Sequence, residues 1–493
     1  MNEYSRTARL GRSALVLGAA LALAACASSS GLEPEGRTLD AASLEAGRSL
    51  AGTPLSAAAW PRRDWWKQLG DAQLDAMVDE ALAGSPDLQV ASARTRKALA
   101  EAQAQDAARM PSVNASASYS GARPPESVVP APIGGSYAAV KYLSLGFNYD
   151  IDLWGGQRAA WEAALGQARA AEVDQQAARL NLSASVARAY SQLAYAFVAR
   201  DLAEEELNRS EHLYSLSKQR LAAGLDSKVQ LQQSEAQQAA ARQQLLAAEQ
   251  QIDSDRITLA VLLGQGPDRG QRIQRPLVLQ PTALALPSDL PAELLGRRPD
   301  VIAARWRVEA ASKGIESAKT GFYPNLNLSA MVGLAALSSG DLFQGGSRFY
   351  QVAPALSLPV FDGGRLRANL AGVDADYDLA VAQYNKTLVA ALGEVSDDLS
   401  QLRSLAQQIK VQRQARDIAK SNYDLAMRRY GEGIGNYLDA LSVEQQLLVT
   451  ERQLASLDVQ QIDTSVRLVQ ALGGGFQPEP TPLAQGARPA AAE

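Results

Sequence analysis

The chain has 493 residues, 46% of them hydrophobic and 20% charged, with a formal charge of −5, one cysteine and one histidine. That composition supports a large core, but no apolar run reaches the ~18 residues of a membrane-spanning helix, so any bilayer crossing falls to strands. No basic stripe is available to neutralise phosphates, which argues against nucleic acid, and a single thiol excludes an intrachain disulfide.

The N-terminus reads as a sorting signal. Arg6, Arg9 and Arg12 precede an apolar stretch over 14–25, then Leu23-Ala24-Ala25-Cys26 and Ser28-Ser29-Ser30. This is the layout of a secretory leader with small residues at the cut. Cys26 stands where a bacterial lipobox carries the cysteine that takes a diacylglycerol and becomes the new N-terminus. At ~0.8 kcal/mol per buried methylene, several acyl chains would hold the chain to a leaflet. Ala27 in place of aspartate fits sorting to the outer membrane.

From residue 86 the chain is written twice. Pro86-Asp87 and Met110-Pro111 reappear as Pro299-Asp300 and Tyr323-Pro324, and Leu153-Trp154-Gly155-Gly156 is answered by Phe361-Asp362-Gly363-Gly364. Arg220-Leu221-Ala222-Ala223-Gly224 returns as Arg429-Tyr430-Gly431-Glu432-Gly433. Self-similarity over so long a period means two copies of one supersecondary unit.

Each copy changes period along its length. Val113, Ala115, Ala117 and Tyr119 alternate with Asn114, Ser116, Ser118 and Ser120. Leu143, Leu145, Phe147, Tyr149, Ile151 and Leu153 alternate with Ser144, Gly146, Asn148, Asp150 and Asp152. These are strands with one oily and one wet face. In the second copy Leu326, Leu328, Ala330, Val332 and Leu334 repeat the pattern, and Tyr350, Val352, Pro354, Leu356, Leu358 and Val360 form the last oily face, with Pro354 a poor fit to a paired strand. Pro-, Gly- and Ser-rich loops over 122–137 and 338–347 join the pairs.

A proline-free, alanine-rich tract of about 65 residues follows each strand pair, ~100 Å of helix at the usual rise. Val173, Ala177, Leu180, Ala184, Ala187, Ser191, Ala194 and Val198 space themselves as a coiled-coil seam. The second copy repeats the register with Val381, Asn385, Leu388, Leu392, Val395, Leu399, Leu402 and Ala406. Past Gly224 and Gly433 the chain turns back as a second helix, and Gly264 and Gly473 end those helices. A Pro-rich stretch over 267–291 joins the copies, and the tail after Phe476 has a disordered composition.

Four amphipathic strands make an open sheet. An open edge in lipid leaves backbone amides unsatisfied at several kcal/mol each, so the sheet must close with copies of itself. Three chains give twelve strands, enough to enclose a water-filled lumen. A soluble sandwich with coiled coils, or a periplasmic scaffold without a pore, are the plain alternatives. Catalysis finds no support: His212 is the only histidine, and Asp150 and Asp152 share a face that a barrel keeps wet. One His, five Met and one Cys give a dedicated metal site little to build on.

The chain resembles the TolC-like outer-membrane efflux factors, in their lipoprotein branch. The resemblance rests on Trp65-Trp66, Tyr149-Asp150-Ile151-Asp152-Leu153-Trp154-Gly155-Gly156, Leu259-Ala260-Val261-Leu262-Leu263-Gly264, Arg297-Arg298-Pro299-Asp300-Val301, Phe322-Tyr323-Pro324-Asn325-Leu326 and Pro359-Val360-Phe361-Asp362-Gly363-Gly364, in order and doubled. It implies a mixed α and β fold, a trimeric 12-stranded outer-membrane β-barrel continued by a long periplasmic α-helical barrel, built from an internal duplication. The expected organisation is a signal peptide over 1–25, a lipidated N-terminal segment and start of an equatorial domain over 26–85, a first repeat over 86–264, a linker over 265–298, a second repeat over 299–473 and a disordered tail over 474–493.

The function implied is that of the outer-membrane channel subunit of a tripartite efflux pump. It would be a homotrimer, lipid-anchored in outer-membrane lipid through Cys26 and without any other cofactor. A periplasmic adaptor and an inner-membrane pump of the RND type would be its partners, and drugs or other small solutes its cargo. The channel of a type I protein secretion system is the rival within the same fold. In the family the periplasmic tip is pinched shut near the last helical turn. Asp439 matches an acidic ring position, Leu438 an apolar constriction, and Ser442 stands where the family carries a second acid. Arg220, Gly224, Ser227, Arg429 and Gly433 at the two helical turns match the adaptor docking surface.

Overall fold

The computed structural model describes residues 28–40, 43–44, 60–130, 132, 134–277, 279 and 294–477. Cys26, the leader and most of the tail lie outside these residues. The elements come in two matching series. The first is α1 (Ala72–Gly84), α2 (Pro86–Ala108), β1 (Ser112–Ala122), β2 (Ala138–Ile151), α3 (Gly156–Ala222) and α4 (Lys228–Leu262). The second, after a one-turn helix at Leu294–Arg297, is α5 (Pro299–Thr320), β3 (Asn325–Ala336), β4 (Arg348–Ser357), α6 (Arg365–Gly431) and α7 (Tyr437–Ala471). The repeat keeps its lengths in the long hairpins: α3 and α6 each run 67 residues, α4 and α7 each 35.

The chain folds into two compact units. Among the described residues, one gathers 28–38, Arg94–Ala171 and Ala304–Tyr384; the other holds those of 39–93, 172–303 and 385–477. The sheet belongs to the first. Its four strands are antiparallel in the order β1-β2-β3-β4, with Val113 opposite Phe147, Leu145 opposite Val332 and Leu326 opposite Leu356. This register lines up the oily residues of all four strands on one face, as the alternation requires.

Two details differ from the sequence reading. Pro354 is a full member of β4, paired with Leu328; β4 is an edge strand, where a missing amide proton is tolerated. Leu358 and Val360 lie beyond the last strand, and Leu153 beyond β2. Chain turns at Gly155, Gly363 and Gly364, all at positive φ, take over there.

In the same unit residues 28–38 run beside α6. Arg367 Nη1 donates to the carbonyls of Ser28 at 2.5 Å and Ser30 at 3.2 Å, and Asp378 accepts from the amides of Glu35 and Gly36. Leu32 packs on a small core of Ile315, Phe322, Leu366 and Leu370.

The second unit has the larger core. Trp65, Trp66 and Leu69, with Leu74, Met77 and Val78 of α1, pack on Val186, Tyr190 and Leu193 of α3, Leu259 of α4, and Ile462 and Val466 of α7. Asp71 caps α1, accepting from the Gln73 and Leu74 amides, and also takes the buried Tyr190 hydroxyl at 2.7 Å. The expected seams are packed over most of their length: Ala184, Ala187, Ser191 and Ala194 in one copy and Val381, Leu388, Leu392, Val395, Leu399 and Leu402 in the other are buried, whereas Val173, Ala177, Leu180, Val198 and Asn385 are half-buried and Ala406 is exposed.

Candidate functional site

The site is assembled from the two helical turns, both in the second unit. At the end of α3 the Gly224 amide bonds to Leu221 O and the Leu225 amide to Arg220 O. At the end of α6 the Gly433 amide bonds to Tyr430 O and the Ile434 amide to Arg429 O. This crossed pair of bonds closes a helix on a left-handed residue, which suits glycine; φ is +70° at Gly224 and +79° at Gly433. The next helix then starts on a cap. Ser227 forms a full capping box with Gln230 for α4, and the Asn436 side chain accepts from the Leu438 amide for α7.

One cluster of side chains ties the two turns together. Tyr430 OH donates to Asp226 Oδ2 at 2.9 Å, and Arg220 Nε donates to Asp226 Oδ1 at 3.2 Å. Arg220 also donates from Nη1 to Tyr430 O, and its guanidinium lies 4.6 Å from the centre of the Tyr430 ring. The side chain of Asp226 is 3% exposed and that of Arg220 15%. Tyr430 meets Tyr437 edge-on at 6.1 Å, over a floor of Leu213 and Ala440. Burial pushes the Tyr430 phenol above its ordinary value, and the bond to Asp226 adds to this, so it remains a proton donor at neutral pH.

A second cluster lies further along the same helices. Arg209 of α3 faces four carboxylates: Glu206 at 3.2 Å, Glu451 at 3.4 Å, Glu205 at 3.7 Å and Glu444 at 3.9 Å. Tyr423 of α6 lies with its ring under the Arg209 guanidinium, and Gln237 of α4 donates to Glu206. Glu444 is 1% exposed and neither of its oxygens accepts a hydrogen bond among the described residues. Burial first, then the nearby Glu206 charge, lift its carboxyl to about 7, with Arg209 pulling the other way. Nothing in the sequence singled out this cluster. Its one signal is a set of charged residues at seam positions, where a coiled coil should be apolar.

The residues matched by resemblance divide into groups. Leu438, Asp439 and Ser442 are all exposed in the first turns of α7, and Leu438 is 56% exposed. Arg429 is exposed as well, and Ser227, also exposed, serves as a cap. Arg220 points inward and is committed to Asp226 and Tyr430, so its charge is not presented outward. Cys26 lies outside the described residues.

An open four-stranded amphipathic sheet and doubled helical hairpins of equal length are the architecture that the comparisons with known proteins match. The chain belongs to the outer membrane efflux protein family, whose profile matches residues 77–265 and 290–474, one stretch in each copy. It is 38% identical over 364 residues to fusaric acid resistance protein FusA of Burkholderia cepacia, spanning 73% of this chain and 68% of that one. It is 32% identical over 435 residues to multidrug resistance outer membrane protein MdtP of Escherichia coli K12, spanning 86% and 89%. The crystal structure of the outer membrane protein VceC from Vibrio cholerae matches with a TM-score of 0.80 at 36% identity, over 85% of this chain and 100% of that one. The molecule is the outer-membrane channel component of an efflux pump.

Proposed function

We propose that three copies of this chain close a twelve-stranded barrel in the outer membrane, with β1 of one copy paired to β4 of the next, and that their long helices continue it as a tube through the periplasm. The observation that carries this reading is the sheet itself: β1 and β4 are both edges, and one continuous oily face needs lipid. Twelve strands are enough for a water-filled lumen.

Solute enters from an inner-membrane pump of the RND type through a periplasmic adaptor that docks at the helical turns around Gly224, Ser227, Arg429 and Gly433. Leu438, Asp439 and Ser442 face the axis and narrow the tip, where three Asp439 carboxylates repel one another unless screened. The Asp226–Tyr430–Arg220 cluster holds the closed arrangement. The adaptor opens the tip by binding the separated form more tightly. Small toxic molecules are the cargo, in keeping with the resistance phenotypes for which FusA and MdtP are named. Cys26 carries the lipid that anchors the assembly.

The test is reconstitution of the purified chain into planar bilayers, with gene deletion assayed on a panel of toxic compounds in parallel. Trimers in detergent, a gated conductance and sensitisation of the deletion strain are expected. A water-soluble monomer without conductance would end this reading. Loss of palmitate labelling in Cys26→Ala tests the anchor separately.

A further inference from the structure

The oily face of the sheet is not uniform along its height. Val113, Phe147, Tyr149, Ile151, Leu326, Leu328, Val352 and Leu356 occupy the end and middle nearest the helices, with no charged residue among the described positions of that part of the face. At the hairpin-loop end the same face changes character. Lys141 follows Leu143 by the two-residue alternation and pairs with Tyr119 on one side and Ala336 on the other. Arg348 pairs with Leu334, which in turn faces Leu143. Arg123, just past β1, keeps the parity of Tyr119. Three cations of the oily face are thus spread along one rim, with Lys141 between Arg348 and Arg123 in the register.

Their neighbours make this more than a charge count. Lys141 Nζ donates to Leu337 O at 3.2 Å and lies 6.0 Å from the Tyr119 ring, and Arg123 Nε donates to Gly135 O at 2.6 Å. Arg348 is exposed and pairs with no carboxylate among the described residues. The two hairpin loops contain one acid each, Glu126 and Asp341, so the rim is net positive. Below Arg348 a shallow cavity of about 520 Å³ opens on Ala115, Leu143, Leu145, Val332 and Leu334. Leu145 and Val332 are more than half exposed there. A strip of hydrocarbon ending in an unpaired guanidinium matches an acyl chain with a phosphate at its head.

We infer that this rim binds a phosphate-bearing lipid of the outer leaflet, with an acyl chain in the Leu143–Leu145–Val332–Leu334 groove, one head-group phosphate taken by Arg348 at the mouth of that groove, and Lys141 and Arg123 offering charge to the rest of the head group along the rim. The inference rests on the reading that the sheet spans a membrane with its hairpin loops outward. In an outer membrane the outer-leaflet lipid of that chemistry is a phosphorylated glycolipid. Basic side chains at a membrane surface attract anionic head groups, and the guanidinium grips a phosphate with two parallel bonds. The opposite face offers no such rim: its strand positions carry no cation among the described residues, and at the loop end they hold Val140, Tyr142 and Phe349.

The test compares the full chain with the triple variant Arg123→Gln, Lys141→Gln, Arg348→Gln. Both are purified in detergent, incubated with a bisphosphorylated glucosamine-disaccharide lipid or with the same lipid after enzymatic dephosphorylation, and assayed for retained lipid. The native chain should retain the phosphorylated form about tenfold better, and the variant should lose that preference to within about twofold. Equal retention of the two lipids by the native chain, or an unchanged preference in the variant, overturns the inference. Planar-bilayer conductance on the same samples separates the two levels. Channels without a phosphate preference sink the lipid site alone, whereas absence of channels sinks the membrane-spanning reading and this site with it.

Discussion

Replacing Glu444 with glutamine should stabilise the protein at alkaline pH and leave it unchanged in acid. In the folded chain this carboxyl is lifted to about 7, from an ordinary value of 4.5. Such a displacement corresponds to roughly 3 kcal/mol of preference for the protonated form. The direction follows from linkage: above pH 7 the buried carboxylate is charged in the folded state, and the full penalty is present. As the pH falls from about 7 toward 4.5 the folded state takes up a proton before the unfolded one, and the penalty fades.

Of the groups around it, Arg209 alone gives relief. Glu205, Glu206 and Glu451 share that guanidinium, Arg416 bears on Glu451, and Tyr423, Gln237 and Tyr437 bring no further positive charge. Glutamine keeps the shape and loses the titration. Thermal midpoints of the two full-length proteins in detergent, at one scan rate from pH 4.5 to 8.5, should therefore coincide in acid and diverge above neutrality, with the variant the higher. The difference curve removes other titrations in that range, such as that of Asp398, itself lifted to about 6 by burial. Parallel curves at every pH would refute the assignment of Glu444 as the buried proton carrier. In bilayers the same reasoning makes the packed tip firmer in acid, so native conductance should fall between pH 8 and 5 and the variant should respond less.

Asp226→Ala removes the shared acceptor of Tyr430 and Arg220 and leaves a half-buried guanidinium, which should weaken the tip by about 2–4 kcal/mol and raise resting conductance. Tyr430→Phe, which loses the hydroxyl bond alone, should have a smaller effect of about 1 kcal/mol in the same assay. Asp439→Ala should increase leak or antibiotic sensitivity while leaving the unfolding midpoint nearly unchanged; unaltered permeability and conductance would remove Asp439 from the gate. Gly473→Ala should destabilise strongly, because a Cβ there would stand 2.0 Å from Arg297 O at a φ of +87°; an unfolding midpoint within a degree of wild type would contradict this.

What the sequence revealed tracks how local the physics is. Strand alternation, seam spacing and glycine stops depend on neighbours a few residues away, and the elements at Ser112–Ala122, Gly156–Ala222 and Arg365–Gly431 lie where those patterns run. The site was legible in outline, since the turns at Gly224 and Gly433 and the first turn of α7 stand out as motifs. Its working contacts were not. Asp226 and Tyr430 lie in different copies of the repeat, so no spacing rule pairs them, and Arg220 reads as a surface cation until its partners are known. Glu444 escaped for another reason: it sits at the seam spacing of Tyr437, Ala440 and Leu447, but no seam is read along that stretch of α7, so its acid does not stand out as misplaced. The rim of Lys141 and Arg348 needed the sheet register, which neither hairpin specifies alone.

The equal lengths of the two hairpins carry a consequence for how such a chain can change. Because Asp226 at one turn grips Tyr430 at the other, an insertion of a single heptad into α3 alone would carry one fingertip past its mate and break the clasp. Any change of reach has to be made twice, in step, and on the return strokes α4 and α7 as well. The duplication acts as a vernier, setting the depth of the conduit by agreement between two rulers written in one gene.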